Sequence, residues 1–135
     1  MKLKKVNDVM GFIGGGIFYD DVFFGCGCSY NEIIEYFKEI KATSWIKGLE
    51  IHKETLEGEY KMIALSVDYN GEHLYYIISK ESFVFNDKHY VYLAHECLHI
   101  CQFYLPNVLD RNKEYESEAY FHSHLMTQCL KMLRG

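Results

Sequence analysis

The spacing of apolar residues divides the first forty positions into two predicted elements. From Phe12 to Phe24 apolar residues are mixed with three consecutive glycines, Gly14 to Gly16, which indicates extended structure with a tight bend. Ser29 is followed three residues later by Glu32, the spacing of a helix capping box. Apolar residues then recur at helical spacing, so a helix is predicted from this cap to about Lys41.

The middle of the chain carries the pattern of a β-hairpin. Two segments, Tyr60 to Tyr69 and His73 to Ser79, are rich in aromatic and branched apolar residues. Asn70-Gly71 lies in the short stretch between them. Asn-Gly is the strongest two-residue hairpin signal, because both positions accept positive φ. We therefore predict two antiparallel strands, with Ser82 to Phe85 as a short third strand.

Two helices are predicted in the last third of the chain. Asp87 suits an N-cap, and a helix follows from about Lys88 to Tyr104, which Pro106 prevents from continuing far. A last helix runs from about Lys113 to Leu133. The predicted fold class is α+β: a small antiparallel sheet, one N-terminal helix and two C-terminal helices packed side by side.

Composition supports one domain and excludes some classes of partner. The 135 residues are 49% apolar and 16% aromatic, which is enough to build a core over residues 1–135. The net charge is -5 and the lysines form no basic stripe, so nucleic acid is not an expected partner. The N-terminal MKLKK resembles a secretion signal, but Asn7 and Asp8 interrupt the apolar stretch. We expect a cytoplasmic protein with no membrane span; its oligomeric state is not predicted.

The five cysteines are an odd number without a disulfide spacing, which favours reduced thiols. Cys26 and Cys28 could bind a metal ion, but small residues beside a glycine-rich turn are the simpler interpretation. Cys97 and Cys101 lie one helical turn apart and are expected to be core thiols.

The sequence AHECLHICQF, residues 94 to 103, carries the candidate chemistry. His95 and His99 project from the same side of a helix, so two imidazole nitrogens can hold one ion. Glu96 lies about 100° further around, where a general base acting on a metal-activated water is needed. The surrounding helix is apolar on nearly every side and is therefore expected to be buried.

A third metal ligand is expected from the last helix, and two glutamates compete for the role. Glu118 lies close to the apolar side of that helix. Glu116 is followed one and two turns later by the small residues Ala119 and Ser123, which would let the two helices approach closely. We therefore choose Glu116, with Glu118 as the alternative.

These residues resemble the two-helix core of the glutamate-ligand zinc peptidases, the gluzincins. AHECLHICQF followed by ESEAYFHSHL is similar to small metallopeptidase-like proteins encoded by phages and prophages, over about residues 90 to 130. The resemblance implies a minimal zincin-like domain that binds Zn²⁺ through His95, His99 and Glu116. It implies hydrolysis of peptide bonds in a peptide or protein substrate by a metal-activated water, with Glu96 as the general base.

The chain departs from this family at one supporting residue. Thermolysin-like enzymes have an aspartate four residues after the ligand glutamate, and Tyr120 stands there in this sequence. The residue that stabilises the oxyanion is not identified; His122, His124 and Tyr104 are candidates.

Two other interpretations remain open. The chain is short for a peptidase, so it could be a catalytically silent, zinc-stabilised binding module that acts on a host or virion protein. It could also be a metal-free α+β domain in which His95 and His99 bond to buried carboxylates.

Overall fold

Four strands form one mixed sheet in the computed structural model of the protein. The structure describes residues 8–14, 21–104 and 115–135; in the last range it describes side chains from residue 118 onward. The strands are β1 (Val9–Gly14), β2 (Asp21–Cys26), β3 (Ile63–Tyr69) and β4 (Glu72–Ser79), in the order β1-β2-β4-β3. The pairs β1/β2 and β3/β4 are antiparallel, whereas β2 and β4 are parallel. β1 and β3 are therefore the edge strands.

Helices cover both faces of this sheet. The described part of the chain contains α1 (Tyr30–Glu39), α2 (Thr43–Glu50), α3 (Lys53–Glu57), α4 (Asp87–Tyr104) and α5 (Tyr115–Arg134). Core residues of α1, α2 and α3 pack with one set of strand side chains, and those of α4 and α5 pack with the other set. The result is three layers, with two hydrophobic cores separated by the sheet.

The position of β4 inside the sheet explains its uninterrupted apolar sequence. Leu74, Tyr76 and Ile78 belong to the core under α1 to α3, while Tyr75 and Ile77 belong to the core under α4 and α5. A strand buried on both faces has no solvent side to alternate with.

Two local predictions are confirmed. Asn70 and Gly71 have φ values of 51° and 79°, as a type I′ hairpin turn requires, and Tyr69 pairs with Glu72 across it. The Ser29 hydroxyl accepts a hydrogen bond from the Glu32 N–H at 3.2 Å, and the Glu32 carboxylate accepts one from the Ser29 N–H at 3.0 Å.

The prediction of an antiparallel sheet was wrong, because the β1/β2 hairpin joins the β3/β4 hairpin through the parallel pair β2/β4. The short helices α2 and α3 were not predicted. Residues 82–85 form no strand. Pro106 and the predicted helix start at Lys113 lie outside the described residues.

The start of α4 also differs from the prediction by one residue. The Asn86 side-chain oxygen accepts a hydrogen bond from the His89 N–H at 2.9 Å, so Asn86, and not Asp87, is the capping residue. No helix within the described ranges is long and apolar enough to cross a membrane.

Candidate metal centre

Helix α4 lies against β3 and β4, and the two candidate histidine ligands, His95 and His99, lie outside its core-facing side. Val91 is 64% exposed and Leu98 39% exposed, and His95 is also exposed. The expectation that this helix is buried all round was therefore wrong: the sheet covers only one side of it. The residues of α4 that pack into the core are Leu93, Cys97, Ile100, Cys101 and Tyr104.

His95 and His99 face each other one turn apart on α4. Their Nε2 atoms are 3.0 Å apart. Two imidazole nitrogens that each lie about 2.0–2.1 Å from one zinc ion cannot be more than roughly 4 Å apart, and this pair meets that condition. With Glu96 they form a group whose ligand atoms all lie within 4.8 Å of one another, so these three residues could hold a metal ion.

Gln102 orients one of the two imidazoles. The His99 Nδ1 lies 2.9 Å from the Gln102 side-chain oxygen, and an Nδ1–H donated to that oxygen leaves the lone pair of Nε2 for a ligand. Such a hydrogen bond on the far nitrogen is the usual support of a metal-bound histidine. Sequence reasoning missed Gln102, although its position three residues after His99 on the same helix is a usable signal.

Glu96 is buried although its two histidine neighbours are not. It is 8% exposed, and its Oε1 accepts a hydrogen bond from the Ala64 backbone N–H of β3 at 3.1 Å. Its Oε2 lies 3.9 Å from His95 Nε2. Burial raises the pKa of Glu96, while His95, His99 and the Ala64 N–H act in the opposite direction. The result is a carboxylate with increased basicity beside the imidazole pair.

An apolar groove of about 690 Å³ opens beside His95, between α4 and α5. Ala94 and His122 meet across it, since the His122 ring donates an Nε2–H hydrogen bond to the Ala94 carbonyl at 3.0 Å. The lining residues are Val91, Ala94, His95 and Leu98 of α4, and Glu118, Ala119, His122 and Ser123 of α5.

Glu116 and Glu118 are the two candidates for a third ligand on α5. Glu118 lines the groove together with His95, but it does not belong to the group of close ligand atoms found among the described residues. The Glu116 side chain lies outside the described residues. Ala119 and Ser123, the small residues on which the choice of Glu116 rests, line the same groove.

The candidates for oxyanion stabilisation occupy three different environments. His122 lines the groove with His95. His124 donates to the Gly14 carbonyl at 2.9 Å, and Tyr104 is buried against Tyr75 and Phe121. Of these three residues, His122 therefore lies in the groove beside the candidate metal ligand His95.

Tyr120 and the cysteines do not form part of the described metal group. Tyr120 is exposed and stacks on His124. Cys97 and Cys101 are buried in the core, as predicted. Cys26 and Cys28 are buried as well, and burial raises the pKa of Cys26 to about 12, so that thiol stays protonated.

Comparison of the chain with protein-family models, with curated proteins and with solved structures finds no match in any of the three.

Proposed function

We propose that the protein is a zinc-dependent metallopeptidase in which His95 and His99 bind the ion and Glu96 is the general base. The observation that carries this proposal is the pair of Nε2 atoms 3.0 Å apart beside a buried carboxylate. A carboxylate costs free energy when it is taken out of water. A function for Glu96 would explain why a buried carboxylate stands on the sheet side of the helix in spite of this cost.

Zinc is the proposed metal because its catalytic sites combine imidazole and carboxylate ligands with one open position. Glu116 is the proposed third ligand, with Glu118 as its competitor. A bound zinc ion polarises a carbonyl group and makes water a better nucleophile near neutral pH.

Glu96 accepts and then returns the proton. The Ala64 N–H holds Oε1, which leaves Oε2, on the His95 side, to take a proton from water and deliver it to the leaving amine. The raised pKa of Glu96 supports this role, because a stronger base near neutral pH accepts the proton more readily.

The outer edge of β3 is the proposed binding place for the peptide backbone. The Ala64 N–H points to Glu96 and not to β4. The outer edge of β3 therefore lies next to the proposed general base. Extended peptides bind such edges by adding a strand, which would bring a scissile bond close to Oε2 of Glu96.

A catalytically silent zinc-binding module is the second candidate. It would bind the ion through the same two histidines, but it would not use Glu96 as a base. Loss of turnover but not of metal in Glu96→Gln would separate the two candidates, since a binding module needs the ion and not the base.

Metal content of the purified protein tests the proposal most directly. Tag-free protein purified without chelators should contain about one zinc per chain by elemental mass spectrometry, and His99→Ala should lose it. His73→Ala is the matched control, because His73 is an exposed histidine that pairs with Asp68 on the β3/β4 hairpin. Wild-type protein that binds no zinc even after zinc is added would refute the proposal.

A further inference from the structure

Strand β1 directs some of its backbone groups away from the sheet. Just past the end of β2, the Gly27 N–H donates to the last carbonyl of β4 at 2.9 Å. A trans peptide group points its N–H and C=O in opposite directions, so the Cys26 carbonyl points towards β1. Val9 faces Cys26 across the β1/β2 pair and points back to it. Because this direction alternates along a strand, Met10 and Phe12 point their N–H and C=O groups outward.

The far end of β1 agrees with this assignment. Gly14 lies two residues after Phe12 and has the same direction, and its carbonyl accepts a hydrogen bond from His124 of α5 at 2.9 Å, not from β2. The outward N–H and C=O groups of Met10 and Phe12 have no hydrogen-bond partner within the described ranges. These two residues are therefore the ones that can pair with a further strand.

The two edges of the sheet differ in their protection against such pairing. On the outer edge of β3, the Glu96 carboxylate occupies the Ala64 N–H, and Asp68 adds an exposed charge. β1 has the sequence VMGFIG, without a charged residue or a proline. Charges, prolines and covered backbone groups are the usual means by which an edge strand avoids another strand. The described structure shows none of them at Met10 and Phe12.

We propose that the β1 edge binds the β1 edge of a second copy of this chain, antiparallel and about a two-fold axis at Gly11. Met10 of each copy then lies opposite Phe12 of the other, and each such pair forms two hydrogen bonds. The edge is self-complementary, because both residues supply one donor and one acceptor. Two copies with a net charge of -5 repel each other, but the strands that meet are uncharged.

The side chains favour the same register. Met10 and Phe12 are half-buried on the sheet face under α1 to α3, and in the proposed dimer each lies beside the other residue of the second copy. Opposed apolar side chains stabilise a strand pair, and a methionine sulfur packs well against an aromatic ring. Phe12 packs edge-to-face on Trp45 with ring centroids 4.8 Å apart, which positions its ring at this edge.

The pairing leaves the candidate metal centre open. β1 and β3 are opposite edges of the sheet, so the β3 edge next to Glu96 stays free in both copies. A dimer through β1 requires neither zinc nor turnover, and the inference therefore does not depend on the proposed function.

Sedimentation equilibrium of the full chain is the first test. From low to high micromolar concentration, the protein should convert from a monomer of 15.9 kDa to a dimer. Nothing larger should form, because two-fold pairing closes the interface. A wild-type protein that stays monomeric, or that forms open-ended assemblies, would overturn the inference.

Met10→Pro locates the contact. Proline removes the outward N–H of residue 10 and leaves the bonds between β1 and β2 intact, because this N–H does not point to β2. Met10→Ala is the matched control, since it loses the same side chain but keeps the N–H. The proline variant should dimerise at least roughly tenfold more weakly than the alanine variant, as the loss of two hydrogen bonds per dimer implies. Equal dimerisation of the two variants would place the interface elsewhere.

Amide hydrogen exchange of the wild-type protein decides the question if the proline variant does not fold. The N–H groups of Met10 and Phe12 should exchange severalfold more slowly at concentrations that form the dimer. Ser66 is the control: it lies two residues after Ala64 and points its N–H outward from β3, so its exchange should not depend on concentration. The same independence at Met10 and Phe12 would overturn the inference.

Discussion

At the scale of single residues, Glu96 is distinguished by its burial and by the backbone N–H that holds it. Glutamine keeps the shape of this side chain and retains an oxygen for the Ala64 N–H, but it cannot accept a proton. Glu96→Gln should therefore keep the zinc content of wild type and lower kcat on a peptide substrate by about 10²- to 10⁴-fold. Metal analysis and a peptide cleavage assay on the same sample measure both. Wild-type turnover in this variant would rule out Glu96 as the base.

The third ligand is also decided at single residues. Glu116→Gln should lose zinc, because an amide is a much weaker ligand than a carboxylate, whereas Glu118→Gln should retain it. Equilibrium dialysis against zinc with a competing chelator gives the affinities. The two substitutions are chemically identical and two residues apart, so each is the control for the other. The reverse result would move the ligand to Glu118, which lines the groove with His95.

At the scale of elements, the β3/β4 hairpin positions the edge strand that contacts Glu96. Gly71 has φ +79°, and a Cβ built there meets nothing within 4 Å. The cost of Gly71→Ala is then only that of the left-handed backbone, about 1–2 kcal/mol. Gly14→Ala is the control, because its Cβ also meets nothing and its φ lies outside the positive region. Urea denaturation should show destabilisation for Gly71→Ala alone; equal effects would contradict the turn assignment.

Local signals allowed prediction of the elements that depend on few neighbouring residues. The Ser29 capping box, the Asn70-Gly71 turn and the helix carrying His95 and His99 each follow from residues close in sequence. Pairing of β2 with β4 joins segments about fifty residues apart, and no local pattern encodes it. α2 and α3 escaped prediction because both are short and neither has a side-chain N-cap hydrogen bond.

Local spacing also predicted that His95, Glu96 and His99 lie close together, as they do, but it did not predict what surrounds them. Which of the three is buried depends on which side of α4 faces the sheet. Val91 and Leu98 are apolar but exposed, so the side that faces the sheet cannot be identified from apolar residues alone. The hydrogen bond between Ala64 and Glu96 joins residues 32 positions apart, so this support of the proposed general base could not be predicted from the sequence.

At the scale of the whole molecule, two tyrosines in and beside the core under α1 to α3, Tyr76 and the half-buried Tyr60, link stability to pH. Tyr76 is fully buried and its hydroxyl donates to the Trp45 carbonyl at 2.9 Å. Burial raises the pKa of Tyr76, and it raises the pKa of Tyr60 to about 12. Because these folded-state values exceed the unfolded value of about 10, their contribution is complete below pH 10 and declines as pH rises above it.

Tyr76→Phe should therefore change the pH dependence of stability. Urea denaturation from pH 8 to pH 11 should give a shallower alkaline decline than wild type, because one group that must stay neutral is gone. Stability at pH 8 should fall by about 1 kcal/mol, since the Trp45 carbonyl loses its donor. Tyr120→Phe, a change at an exposed tyrosine, is the control. An unchanged alkaline slope in Tyr76→Phe would contradict this assignment.

Removal of zinc should act on the whole fold, because the proposed ligands are held together only when the chain is folded. An ion that binds the folded state at a hundred times its Kd adds about 2.7 kcal/mol of stability, which for a chain of this length corresponds to a Tm difference of roughly 10 °C. Chelation of zinc-loaded wild type by EDTA should lower the Tm by that order, as differential scanning calorimetry can measure. His99→Ala should have the same Tm with and without EDTA, which controls for other effects of the chelator. A wild-type Tm that does not respond to EDTA would favour the metal-free domain, in which His95 Nε2 contacts His99 and lies 3.9 Å from the buried Glu96 carboxylate.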